Sequence, residues 1–303
     1  MQWKKIDEAF SLASLPAFSP ASSPDFLPAS FQVAELFLRK HENCCSAAIS
    51  RYNECLSAER KAWLGFDKQG EVRAFLLFAP YGSLYPVFGK VGASGAGSDL
   101  KQLPPNPAGW KIRAIQGTLD DVDTVLRLHG HRARGKREVI DYSLMLLDSA
   151  PSAASLAAGP GSLRIRRADR QDAELLLPLR LAYEREEVLP PGAPANIPAT
   201  RMSLEKSLAD RLVLVAELDG EVVATAATNA RAFTRDQIGG VYVVPALRDR
   251  GIGTRIVAEL GALLREEHRS AVLFVKTSNI PAIRAYGRIG FLAGDPYRIV
   301  YFS

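Results

Sequence analysis

Apolar residues recur at helical spacing over residues 31–39 and 47–56, which predicts two helices near the start of the chain. Before them come a short amphipathic start and a Ser/Pro/Ala-rich stretch, 19–30, whose composition predicts an irregular loop. Two apolar runs, 62–66 and 72–78, flank the turn Asp67-Lys68-Gln69-Gly70 and predict a β-hairpin. A further strand is expected at 81–88. Residues 92–107, rich in Gly, Ser, Asn and Pro, read as a flexible connection. Strand, helix and strand follow at 111–116, 120–128 and 139–147, so this half is an α+β mixture. The low-complexity Ala/Ser/Pro/Gly stretch 149–162 then predicts a linker, which divides the chain into 1–148 and 163–303.

The second half has the clearer pattern. A short strand, 163–167, precedes a helical repeat over 169–187, with Asp169 placed to cap it and Pro178 placed to kink or break it. Four prolines make 189–198 a loop, and a second helix is expected at 200–209. Residues 211–218 and 221–229 around Asp219-Gly220 give the strongest hairpin signal in the chain. The strand 237–244 stops at Pro245. A short basic turn, Arg248-Asp249-Arg250-Gly251-Ile252-Gly253-Thr254, leads into a helix that runs to about Glu267. Strand 270–276 and helix 280–289, closed by Gly290, follow. One or two strands around Gly294-Asp295-Pro296 end the chain.

The strand–loop–helix at 240–254 carries the chemistry. Unpaired backbone N–H groups and the positive end of a helix dipole converge there, an arrangement that suits a pyrophosphate. Arg248 and Arg250 add charge, and Gly251 and Gly253 remove the side chains that would keep the backbone at a distance. No second basic glycine loop occurs in the first half.

Composition narrows the partners. The chain has 303 residues, 47% apolar and 23% charged. That is ordinary for a globular protein with real cores, and long enough for roughly two domains. A net charge of +5 without a long Lys/Arg block fits an anionic ligand better than nucleic acid. Three cysteines, Cys44, Cys45 and Cys55, two of them adjacent, argue against a disulfide framework or a metal site. The expectation is reduced thiols in a cytoplasmic protein with no membrane span, and the first residues make a poor signal peptide.

The element order β-α-α-β-β-β-α-β-α-β over 163–303 resembles the GNAT superfamily of acyl-CoA-dependent N-acyltransferases. Its signature, Gln/Arg-x-x-Gly-x-Gly/Ala, appears as Arg248-Asp249-Arg250-Gly251-Ile252-Gly253 after Val243-Val244-Pro245. A second block, Asn then Tyr then Gly-Phe, appears as Asn279, Tyr286 and Gly290-Phe291. The whole chain is similar to two-domain members in which an eroded acyltransferase-like half precedes an active one; the stretches 182–188 and 239–243 favour that comparison. The resemblance implies an α+β fold, a mixed but mostly antiparallel twisted sheet flanked by helices, with a second α+β domain before it.

It also implies roles. Acetyl-CoA, or CoA after the reaction, would lie on Val241, Tyr242 and Val243. The diphosphate would sit on Arg248, Asp249, Arg250, Gly251, Ile252, Gly253 and Thr254, and Asn279 would touch the pantetheine. The Val243 N–H would face the thioester oxygen, and Tyr286 would protonate the departing thiolate. No metal is implied, and the acceptor is an amine on a small molecule or a protein. Many relatives carry a Glu where this chain has Phe274, which leaves the general base open among Glu184, Glu186 and Glu187. Two alternatives remain: an acyl-CoA-binding protein without turnover, and a tandem enzyme with two CoA sites. Whether chains pair as a homodimer is left open.

Overall fold

The computed structural model describes residues 1–6, 29–54, 61–91, 94–95, 100–105, 110–129, 137–189 and 194–302. Cys55, most of the 19–30 loop, parts of the 92–107 connection and residues 190–193 of the proline loop lie outside the described residues. The chain divides into two units, 1–143 with 295–303, and 144–294.

Unit 1 begins with a strand, β1 (Gln2–Lys5), where the sequence pattern gave only an amphipathic start. Helices α1 (Ala29–Lys40) and α2 (Glu42–Glu54) follow, with a kink at Cys45. The expected hairpin is β2 (Lys61–Phe66) and β3 (Val72–Ala79). A 3₁₀ turn at Pro80–Gly82 delays β4 to Ser83–Phe88. Two short strands, β5 (Lys90–Val91) and β6 (Ser94–Gly95), form a ribbon. Then come β7 (Ala114–Thr118), α3 (Leu119–His129) and the start of β8 (Arg137–Leu147). Strands β1, β2, β3 and β4 pair antiparallel in that order, and β7 joins β4 in parallel.

Unit 2 repeats that topology. After a short helix α4 (Ala153–Leu156) come β9 (Arg164–Arg167), α5 (Ala173–Tyr183), a π-helical turn (Glu184–Val188) and α6 (Ile197–Asp210). Next are β10 (Val213–Leu218), β11 (Glu221–Arg231), β12 (Arg235–Val243), α7 (Ile252–Glu266), β13 (Ser270–Lys276) and α8 (Ile280–Ile289). The final strand, β14 (Leu292–Phe302), is continuous through Gly294-Asp295-Pro296; its residues Tyr297–Tyr301 belong to unit 1 and pair there antiparallel with β7. Strands β9 to β12 are antiparallel neighbours, and β13 joins β12 in parallel.

Alternation along the strands sorts side chains into two layers. Leu214 and Ala216 of β10 face one stripe of α7, with Ile252, Ile256, Leu260 and Leu264 buried against them. Val213 and Val215 face Leu176 and Leu177 of α5 and Leu204 and Leu208 of α6. Asp169 forms a reciprocal capping box with Asp172. The helix then passes through Pro178 unbroken and loosens only after Tyr183.

The low-complexity stretch 149–162 is structured in unit 2. Ser152 caps α4, and the Ser152 and Ser155 hydroxyls donate to the Arg288 carbonyl at the end of α8 (3.0 and 3.2 Å). Small residues permit this close approach, and the same composition made the stretch look like a spacer in the sequence.

Candidate active site

The site is built where two parallel strands part. β12 and β13 pair from Arg235–Ser270 to Ile238–Leu273 and no further, although both strands continue. On its other edge β12 pairs with β11, from Ile238–Thr228 to Val243–Ala224. That is five steps along β12 (238 to 243) against four along β11 (228 to 224). The extra residue falls at Gly240–Val241 and makes a bulge, which twists a strand away from its neighbour.

Beyond the bulge, the Val244 N–H donates to the Val223 carbonyl at 2.9 Å. Successive residues of a strand turn their polar groups to opposite edges. Val243 therefore turns its N–H and C=O to the edge that β13 has left. The Arg248 side chain donates its Nε–H to that carbonyl at 3.0 Å.

α7 starts at Ile252, within the last residues of the basic turn. Its N-cap is Gly251 at φ 81°, with no side-chain cap and no acid in the first turn. The N–H groups of that turn have no intrahelical acceptor. A Cβ on Gly251 would lie 2.8 Å from the Gly159 nitrogen, so segment 149–162 forms the wall behind the loop.

The second block is one well-stopped helix. The Asn279 side chain accepts the Ala282 N–H at 3.2 Å and caps α8. At the other end Gly290, at φ 119°, ends it: the Phe291 N–H reaches the Tyr286 carbonyl (3.1 Å) and the Gly290 N–H the Gly287 carbonyl (3.2 Å). The Phe291 ring packs on Tyr286, with centroids 5.9 Å apart. Gly-Phe thus holds Tyr286 in place. Burial raises the Tyr286 phenol pKa well above the ordinary value, and the nearby Tyr183 and Glu187 add to the shift.

Val241, Tyr242, Val243, Arg248, Asp249, Gly251, Ile252, Gly253, Thr254, Asn279 and Tyr286 all line one cleft of about 440 Å³. Arg250, which the sequence grouped with them, is exposed and does not line it.

The three acids separate. Glu184 accepts from Arg180 (3.2 Å) and from the Thr200 hydroxyl (2.5 Å). Glu186 accepts from the Tyr242 hydroxyl (3.0 Å) and from Arg248 Nη2 (2.7 Å). Glu187 lines the cleft beside Tyr286, paired with Lys276 Nζ at 2.9 Å. The sequence gave no signal for Lys276 as the partner of Glu187, or for Arg288, a further wall of the cleft. Asp236, which precedes Gln237 on β12, is buried under Arg269 (2.6 and 2.9 Å) and has a structural role.

Unit 1 has a counterpart of the parting strands, but it is closed. β4 and β7 pair only at Ser83–Ala114 and Leu84–Ile115. β4 takes four steps from Leu84 to Phe88 against four along β3, so it has no bulge. Phe88 stands where Val243 stands in unit 2, and its N–H donates to the buried Asp121 carboxylate at 3.2 Å. A Cβ on Gly117 would lie 3.1 Å from the Pro86 carbonyl.

The model of the acetyltransferase (GNAT) family matches residues 180–291. No protein of curated function matches the chain. Among solved structures, the GCN5-related N-acetyltransferase of Sphaerobacter thermophilus is 22% identical, with TM-score 0.52 over 89% of this chain and 92% of that one. An acetyltransferase from the GNAT family of Colwellia psychrerythraea is 10% identical, with TM-score 0.52 over 100% and 99%. A Drosophila protein is 15% identical, with TM-score 0.57 over 90% and 88%. At these identities the likeness is one of fold, and it spans most or all of the chain.

Proposed function

We propose that residues 180–291, which match the model of the acetyltransferase (GNAT) family, form an acetyltransferase domain, and that the chain transfers an acetyl group from acetyl-CoA to an amine. The observation that carries this reading is the Val243 edge. Its N–H is turned into the gap between β12 and β13, in the same cleft as Tyr286 and the uncapped start of α7.

The cleft fits the donor. The first-turn N–H groups of α7 and the loop from Arg248 to Thr254 would hold a diphosphate. The free edge of β12 would pair with the pantetheine amides as an added strand does. Acetyl-CoA supplies the activated acyl group.

Glu187 takes a proton from the incoming ammonium, and the freed nitrogen attacks the thioester carbon. The Val243 N–H receives the growing negative charge on the oxygen, a contribution of ~3 kcal/mol for a preorganised donor. Tyr286 gives its proton to sulfur as the C–S bond breaks, and the second proton that the nitrogen sheds on becoming an amide restores the phenol by way of solvent. Its raised pKa keeps that proton in place before the reaction.

Only unit 2 carries the reaction in this reading. In unit 1 the position equivalent to the Val243 N–H is already bonded to Asp121. One acetyl-CoA per chain is therefore expected by calorimetry, and two would restore the tandem alternative. The test of function is thiol release from acetyl-CoA with a panel of peptide and small amines. Release that depends on an amine supports the reading; tight binding without release from any of them supports a non-catalytic acyl-CoA-binding protein.

A further inference from the structure

Glu186 and Glu187 are neighbours in the π-helical turn, yet their carboxylates go to opposite sides of the gap between β12 and β13. Glu186 meets Tyr242 of β12 and Arg248 of the glycine loop, at 3.0 and 2.7 Å. Glu187 meets Lys276, the last residue of β13, with Nζ 2.9 Å from Oε2. Turns of this kind recur at functional sites.

Lys276 is itself held in place. Leu273 and Val275 of β13 are buried in the core with α7, so alternation turns Lys276 to the opposite face of the sheet, the face that α5 covers. Its carbonyl accepts the Asn279 N–H at 2.8 Å. The end of β13 is thereby tied to the cap of α8, the helix that carries Tyr286. The Lys276 side chain is 27% exposed and that of Glu187 35%, so water reaches the pair on one side only.

A general base works only from within reach of the proton that it takes. A glutamate without a partner on a partly exposed turn spreads over several rotamers. The ion pair engages Oε2 and leaves Oε1 without a protein partner among the described residues. We propose that Lys276 is a positioning residue of the acyl-transfer site: by pairing with Oε2 it holds the Glu187 carboxylate in the cleft beside Tyr286, so that Oε1 takes the proton of the amine. The inference rests on the acetyl-transfer reading above, in which Glu187 is the base. Lys276 acts through Glu187 and touches neither substrate.

Lys276→Met keeps most of the stem and removes the charge. The expected result is a kcat lower by ~10-fold or more, with the KM for acetyl-CoA within about twofold of the parent. Lys276→Arg can still meet a carboxylate and should return kcat to within ~3-fold of the parent. In a Glu187→Gln background Lys276→Met should cost less than ~2-fold more, because the carboxylate that it positions is already gone. A second measurement needs no turnover. The full chain, without acetyl-CoA, is labelled with an amine-reactive ester and read by mass spectrometry. Glu187→Gln should raise the labelling rate of Lys276 by at least ~3-fold relative to the other lysines, because an ammonium released from its carboxylate gives up its proton more readily.

An unchanged kcat in Lys276→Met overturns the proposal; with a raised KM for acetyl-CoA it would make Lys276 a contact of the donor. A loss that is as large in the Glu187→Gln background also overturns it, since Lys276 would then act on the fold. Parent-like kcat in Glu187→Gln removes the base and the proposal with it. Should Lys276→Met fail to fold, the labelling decides, an unchanged Lys276 rate in Glu187→Gln being fatal. If the parent acetylates no amine, the proposed function fails and takes this proposal with it; a parent that turns over while Lys276→Met matches it overturns this proposal alone.

Discussion

Arg248 reaches back to Glu186 at the mouth of the cleft, with Nη2 2.7 Å from Oε2. The same guanidinium lies 5.4 Å from the ring centre of Tyr242, whose hydroxyl donates to the other oxygen of Glu186. The cation of the glycine loop is thus tied to an acid of the π-helical turn. An anionic ligand entering the loop competes with Glu186 for Arg248.

Glu186→Gln is therefore expected to tighten acetyl-CoA binding. Both partners are about two-fifths exposed (43% and 40%), so the pair is a weakly stabilising one. A limit of about 1 kcal/mol corresponds to a Kd lower by up to ~5-fold. Calorimetry at low salt reads the gain, which shrinks as salt screens both interactions. Weaker binding would mean that the carboxylate organises the loop instead of competing for it.

Tyr286→Phe removes the proton that the sulfur receives and keeps the ring that packs on Phe291. The expected loss in kcat is ~10²-fold or more, with a much smaller change in KM for acetyl-CoA. The raised pKa adds a pH signature. An ordinary phenol ionises near pH ~10. Tyr286 stays protonated beyond that, so it causes no fall in kcat on the alkaline side up to that pH. An unchanged kcat in the variant would remove Tyr286 from the mechanism.

The parts of the site that follow from short-range rules were legible in the sequence. Asn279, Tyr286 and Gly290-Phe291 are one helix with its cap and its stop, and the loop from Arg248 to Thr254 is a strand-to-helix turn with glycines where the backbone must come close. The bulge at Gly240 was not legible. It is a mismatch in count between two strands and becomes visible only once β11 is paired with β12. The jobs of Glu184, Glu186 and Glu187 were not legible either, because each depends on a partner from a distant element: Thr200, Arg248 and Lys276. In segment 149–162 low complexity suggested a spacer, whereas the small side chains there serve contact with Gly251 and α8. The final strand was expected as one strand or two, and nothing local distinguishes them at Gly294-Asp295-Pro296.

Gly251 and Gly253 differ in what surrounds them, although the motif treats them alike. At Gly251 a Cβ would be strained by φ 81° and would lie 2.8 Å from the Gly159 nitrogen. At Gly253 the nearest atom is Val243 Cγ2, at an ordinary 3.4 Å. Gly251→Ala is expected to destabilise the chain by about 1–3 kcal/mol and to weaken acetyl-CoA binding with it. Gly253→Ala should leave the denaturation midpoint almost unchanged and act on acetyl-CoA affinity alone, by crowding the diphosphate. Equal stability losses in both would show that Gly159 moves aside.

Asp121 in unit 1 gives a pH-dependent stability with a defined sign. Burial raises its carboxyl pKa from 3.8 to about 7, helped by Asp120 and Asp295 and opposed by the hydrogen bonds with Thr118 and Phe88. Between those two values the unfolded chain is ionised at this position and the folded chain is not, so folding takes up a proton and stability falls as pH rises. The full loss, reached above pH ~7, is on the order of a few kcal/mol. Asp121→Asn keeps an acceptor for the Phe88 N–H and cannot ionise. Its denaturation midpoint should therefore stay flat from pH ~4 to ~8 with respect to this group and exceed that of the parent above pH ~7. Urea titrations of both proteins at pH 5 and pH 8 read the difference. A parent as stable at pH 8 as at pH 5, relative to the variant, would place the Asp121 charge in a better-solvated site than its burial indicates.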